Sequence, residues 1–201
     1  MACNQLSAIT FTCLDNTGGL SSIYVTNFSN VASYTTNSIG TITGLTMQTG
    51  TSFVQLQSTR DTSTFTEDET ISIENGTNFF TQKVEIYIPR RDAAKRNSVF
   101  LLSSGQPQLI VIVTDLNGNS WLLGLTQGAY LMSNKGGTGK KKADANGYTL
   151  EIEAEEPSPA PVVDPYQTDK DFFLSGIYIR NEFDDNILSR QYRQYICNNI
   201  F

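Results

Sequence analysis

The 201-residue chain contains no histidine. The commonest general base and the commonest metal ligand are therefore missing together. Its three cysteines, Cys3, Cys13 and Cys197, form no CxxC pair. An odd count with that spacing argues against a disulfide framework and against a zinc site, and fits free thiols in a reducing cytoplasm. Charge is sparse: 17% of residues are Asp, Glu, Lys or Arg, with 14 basic against 20 acidic and a net charge of −6. A protein that grips nucleic acid over its whole surface would be basic. Long apolar runs are also missing. The longest, residues 109–113, is far too short to span a bilayer. The opening Met-Ala-Cys-Asn-Gln-Leu has neither the basic region nor the apolar run of a secretory signal. The sequons at Asn27 and Asn75 therefore read as chance or turn chemistry.

What is present is Thr, Ser, Asn, Gly and a good supply of β-branched and aromatic residues, the composition of a mainly β chain with many turns. Residues 6–13 alternate like a half-buried strand. Residues 22–28 alternate again, with Ile23, Val25 and Asn27 on one side. Residues 29–50 read either as two weak strands, near 32–35 and 40–45, or as a long loop reaching out of the domain. Strands are expected at 51–59 and 63–73. Asn75-Gly76 then signals a hairpin whose central residues need positive φ. In the strand at 79–88, Val84, Ile86 and Ile88 face one way while Lys83, Glu85 and Tyr87 face the other.

Pro89 ends that strand. One helix is expected at about 90–104, with Ala93 and Phe100, and Ala94 and Leu101, as an apolar stripe. Gly105 is placed to end it and Pro107 to block continuation. The apolar run at 109–113 suits a strand covered on both faces. Asn117-Gly118 turns it into a strand at 120–125, where Gly124 signals a bulge or a close backbone approach. A long Gly/Lys loop is expected over 134–144. Residues 148–155 then alternate strictly, with Tyr148, Leu150, Ile152 and Ala154 against Thr149, Glu151, Glu153 and Glu155. The domains expected are a β-sandwich or barrel at 1–155, a stiff Pro-rich linker at 156–165 and a C-terminal docking extension at 166–201. The extension should contain a strand at 171–179 and a short helix near 188–195. It is too short for a core of its own. No repeat recurs at a fixed period.

Two basic clusters stand out. Arg90, Arg91, Lys95 and Arg96 crowd the start of the helix, against its macrodipole, and call for an anionic partner or for solvent. Lys135, Lys140, Lys141 and Lys142 sit among Gly136, Gly137 and Gly139. That loop does not fit GxxxxGK[ST] and no helix follows it, so it offers no phosphate cradle. The carboxylate row at 151–155 is too regular for a two-acid active site. Asp164, Asp169 and Asp171 are not singled out by any pattern, and Glu182, Asp184 and Asp185 lack a calcium loop. No enzyme activity, cofactor or metal is expected. The other class to weigh is a carbohydrate- or receptor-binding sandwich, with Trp121, Tyr130 and Tyr148 stacking on sugars, although a lone Trp beside a buried strand more often packs.

Trp-Leu-Leu-Gly at 121–124, Gly128 and Gly139 around the loop, Asp-Ala-Asn-Gly-Tyr-Thr-Leu at 144–150 and Glu-Glu-Pro at 155–157 resemble structural tail proteins of tailed bacteriophages. The likeness is to tail-tube or tail-ring proteins from phages of Bacteroides-type hosts, crAss-like phages included, and covers roughly residues 80–163. It implies a β-sandwich or barrel protomer with one flanking helix. Copies would join edge to edge into a ring around a DNA channel, in contact with neighbouring tail or portal proteins. Such a protein is made in the host bacterial cytoplasm and resides in the virion. The eight basic residues named above become candidate contacts to a neighbouring subunit or to DNA. The acidic balance suits a conduit through which DNA slides without sticking. The extension beyond 165 has no counterpart in the resemblance.

Overall fold

The computed structural model describes residues 16–164. The strand expected at 6–13, the three cysteines, and the strand and helix expected within 166–201 lie outside the described residues.

The elements run β1 (Leu20–Asn27), β2 (Val31–Thr36), β3 (Ile42–Met47), β4 (Val54–Gln55), β5 (Thr64–Ser72) and β6 (Thr77–Pro89). Then come α1 (Ala93–Ser103), β7 (Leu109–Asp115), β8 (Ser120–Leu123), β9 (Tyr130–Gly137), β10 (Gly147–Glu156) and β11 (Val162–Val163). They form two sheets, one of seven strands in the order β2-β3-β11-β8-β7-β1-β4 and one of four in the order β5-β6-β10-β9. This is a β-sandwich with one flanking helix. No helix among the described residues is long and apolar enough to cross a membrane.

The apolar run becomes β7, and Leu109 through Val113 are all buried. Side chains alternate along a strand, so consecutive apolar residues need cover on both faces. Leu109, Val111 and Val113 join a core that includes Ile23, Val25, Val84, Ile86, Leu150 and Ile152. Ile110 and Ile112 join a second cluster with Ile42, Leu45, Leu122 and Val163. Across the sandwich, β6 and β10 pair antiparallel from Gly147–Pro89 to Glu156–Phe80. As their alternation predicts, Val84, Ile86, Ile88, Tyr148, Leu150, Ile152 and Ala154 point inward.

Gly124 has φ +73, and a Cβ there would lie 2.5 Å from the Ala129 nitrogen and 2.8 Å from the Leu109 carbonyl oxygen. Only glycine lets this loop turn back so that Leu109 and Ala129 exchange backbone hydrogen bonds of 2.8 and 2.7 Å. Gly76 and Gly118 likewise have positive φ, but Asn75 does not, and β5 ends at Ser72 while β6 starts at Thr77, so the hairpin expected with both central residues at positive φ is replaced by a longer turn. Residues 29–50 form the β2–β3 hairpin, the strand reading of that stretch.

Four further expectations are corrected. The helix starts at Ala93, not at Arg90: Arg90 has φ +61, and Asp92 is extended with its carboxylate accepting from the Lys95 nitrogen at 2.8 Å. That side chain caps an otherwise unpaired helix N–H, so the helix begins after it. The apolar stripe is Val99, which is buried, with Leu102 packed against the core; Phe100 and Leu101 are exposed. The strand expected at 51–59 shrinks to Val54–Gln55. The Pro-rich run is part of the sandwich. Glu156 ends β10, and β11 lies between β3 and β8 of the larger sheet. The Pro161 carbonyl accepts from Leu122 at 3.0 Å, and Gln82 of the smaller sheet donates to the Ser158 carbonyl at 3.2 Å.

Because Ile112 is buried in a second cluster, Ile112→Ala should cost about 2–5 kcal/mol in urea unfolding, as core truncations do. A loss of only a few tenths of a kcal/mol would show that this face of β7 has no core behind it.

Candidate subunit interface

The smaller sheet positions every charged group of interest. Its inner face is apolar. On its outer face Lys83, Glu85, Thr149, Glu151 and Glu153 stand in register. Glu151 lies directly across from Glu85, a like-charge pair that would be unfavourable alone. Lys83 turns to it and makes an ion pair with Glu151. That hydrogen bond, aided by the nearby carboxylates, holds the Lys83 ammonium above its ordinary pKa; the same bond, aided by the charges of Lys83 and Lys135, holds the Glu151 carboxyl below its own. The pair therefore persists at neutral pH. It is lost in acid below the carboxylate range and in base above the usual lysine range.

The fold unites the two basic clusters that sequence keeps apart. The Arg90 nitrogen donates to the Asn146 carbonyl at 2.6 Å, and the Arg91 nitrogen to the Asn146 side-chain oxygen at 3.4 Å. The β6–α1 turn is thus fastened to the β9–β10 loop at one end of the sheet. The Arg91 guanidinium lies 5.0 Å from the centre of the Tyr148 ring, a cation–π contact. A side chain at Gly136 would meet that ring at 3.0 Å and Arg91 at 3.4 Å, so glycine leaves room for the stack. Lys95 serves the turn itself, donating to the carbonyls of Pro89 at 2.6 Å and Arg90 at 3.2 Å. Its charge caps backbone oxygens and lies 3.9 Å from the Asp92 carboxylate. Arg96 lies in the first turn of α1 and is exposed.

Lys135 is not in a loop. It lies on β9 opposite Thr149, and the loop proper is shorter, with Lys140, Lys141 and Lys142 at its tip. The Asp144 carboxylate accepts from the Lys140 and Lys141 nitrogens at 2.7 and 2.8 Å. Those two bonds hold its pKa below the ordinary aspartate value. Carboxylate and backbone together shape the turn, and the three lysines are exposed.

The opposite edge of the same sheet is acidic. Glu67, Asp68 and Glu69 are consecutive on β5, facing Gln82, Thr81 and Phe80 of β6. The Glu67 carboxylate accepts from the Ala160 nitrogen at 2.6 Å, and Glu69 accepts from Asn78 at 3.4 Å. Asp68 stands on the outer, exposed face. Among the described residues β5 pairs only with β6 and β9 only with β10, so both edges are open. Both also carry exposed apolar side chains: Ile71 and Ile73 beside β5, Tyr130 and Met132 on β9, and Phe100 and Leu101 on α1. A cavity of about 170 Å³ lies between α1 and β9, lined by Leu102, Pro107, Tyr130, Leu131 and Met132.

Of the three aromatics weighed for sugar stacking, Trp121 and Tyr148 are engaged within the fold, while Tyr130 is exposed on β9. Trp121 stacks on Phe65 at 6.5 Å and packs against the core. Tyr148 is buried under Arg91. Asp164 donates its backbone N–H to the Ile42 carbonyl at 2.9 Å. Sequence reading also missed a buried carboxylate. Glu156 is nearly fully buried, and its Oε1 accepts from the Thr126 and Gln127 nitrogens at 2.9 Å each. Its parity with Ala154 was the available signal that it points inward. Neither the scan of protein-family models nor the search of curated proteins found a match to this chain.

A depressed Asp144 pKa means its contribution is complete above the ordinary value of 3.8 and fades as pH falls through the lower folded-state value. Protection of the Lys140 and Lys141 amides, taken relative to the intrinsic exchange rate at each pH, should therefore be present at pH 7 and lost only in stronger acid. Asp144→Asn should reduce it at pH 7. Unchanged exchange in the variant would show that the carboxylate does not hold the turn.

Proposed function

We propose that this chain is a structural subunit of a phage tail, whose activity is self-assembly into a ring or tube around a DNA channel. The observation that carries the reading is the pair of open edges of one sheet with opposite charge. Acidic residues line β5, and basic residues lie on and beside β9. An open strand edge invites another chain, and soluble proteins usually block it. Here each edge offers what the other lacks. Repeating such a contact joins unlike surfaces and generates a ring when the rotation closes. The resemblance over residues 80–163 points to the same class.

The outer face of the sheet suits the channel wall. Its row of Glu85, Glu151 and Glu153, only partly offset by Lys83 and Lys135, repels phosphates and lets DNA pass. The basic end bearing Arg90, Arg91 and Lys140–Lys142 is left to meet a neighbouring subunit or tail protein. The packing of Trp121 and Tyr148 speaks against the sugar-binding alternative.

Electron microscopy of the purified full chain over a rising concentration series should show rings with a central opening. Assembly should weaken as salt rises, because screened charges steer it. A protein that remains monomeric at high concentration, with no rings at low salt, would overturn the reading.

A further inference from the structure

We infer that the β5–β6 hairpin of one copy seats in the groove between α1 and β9 of the next, with β5 and β9 paired antiparallel and Asp68 opposite Lys135. The inference rests on the ring reading and names the surfaces that join.

Strand direction permits the contact without turning a copy over. β5 is antiparallel to β6, β6 to β10, and β10 to β9. β5 and β9 therefore run in opposite directions. Laid beside each other from two copies in one orientation, they meet as an antiparallel pair and extend the sheet.

Register follows from side-chain parity. Asp68 lies opposite Thr81, on the outer face with Lys83 and Glu85. Lys135 lies opposite Thr149, on the outer face with Glu151. A slip of one residue would put one of them on the wrong side. With Asp68 across from Lys135, Ile71 comes level with Met132, and Ile73, just past the end of β5, continues toward the same apolar groove. Met132 is the residue skipped in the β9–β10 ladder between Leu131 and Ser133, so it stands out at a bulge. Ile73 is 92% exposed and Met132 63% in the single chain. Leu102 and Pro107 line the same groove on the side of α1. The one register thus matches a charge to its opposite and an apolar tip to an apolar groove.

The geometry also offsets the copies. Within one sheet Lys135 is level with Thr149 and Tyr87, beyond the start of β5 at Thr64. Bringing Asp68 to Lys135 therefore shifts the next copy along the strands. A sheet that closes around an axis needs such a stagger, because its strands must tilt. A two-fold arrangement, β5 on β5 or β9 on β9, would bring like charges together and leave the groove without its tip.

The test is a charge exchange in the full chain. Asp68→Lys and Lys135→Asp should each raise the concentration needed for ring formation by about tenfold or more, and the double exchange should return it toward wild type. Circular dichroism would verify that each exposed-site variant is folded. In a second arm, native cysteines are replaced by serine and Ile71→Cys is combined with Met132→Cys. Mild oxidation of the assembled protein should yield a ladder of covalent oligomers. If wild type forms rings but the single exchanges assemble normally, or the ladder is missing, the register is wrong while the ring reading survives. If wild type forms no rings, both fall.

Discussion

Five consecutive buried side chains in β7, Leu109 to Val113, set the constraint on which the rest of the molecule depends. A strand that is apolar on both sides cannot lie at the surface of a single layer. One face must meet the smaller sheet and the other a second cluster. Together these place β7 inside the larger sheet, between β1 and β8. Full burial of a Leu, Ile or Val side chain stabilises by roughly 1.5–3 kcal/mol. No surface ion pair in this fold competes with that, because exposed pairs contribute about 0–1 kcal/mol. The Gly124 turn, the return of residue 129 onto residue 109 and the docking of β11 beside β8 all serve to keep this strand covered.

The smaller sheet is built on the opposite rule. It buries one face only, and among the described residues its outer face and its two edges are uncovered. The outer face carries like charges directly opposite each other, moderated by one lysine. One edge is acidic and the other basic. A single copy gains little from this arrangement. Repeated from copy to copy, as we propose, it would cover both edges and match their charges. The same asymmetry separates the basic end, tied together at Asn146, from the acidic stretch of β5.

Much of this was legible in the sequence where pattern and period agree. The alternations at 79–88 and 148–155, the run at 109–113, the positions of the Asn-Gly turns and the close approach at Gly124 all stand as read, although Asn75 itself does not take the positive φ expected of it. The helix start was misplaced because Arg90 and Arg91 resemble helix residues, while Asp92, a good cap, was given no weight. β9 escaped notice because its second half, Asn-Lys-Gly-Gly, has low strand propensity and is held by the ladder to β10. β11 escaped because two valines between prolines have no period, and only β3 and β8 make them a strand. The candidate interface was half visible. Its basic residues were named from sequence, but the acidic edge and the pairing of the two clusters need strand order, which no local pattern carries. That Lys95 also caps two carbonyls was not legible, because this depends on the turn that precedes the helix.

The most direct test is amide hydrogen exchange, peptide by peptide, on the single chain and on the assembled protein. β7 should be protected in both, since its core lies within one copy. β5 and β9 should exchange readily as outer strands of the single chain and become protected only on assembly. Equal exchange of β5 and β9 in the two states, with protection appearing elsewhere, would contradict the account.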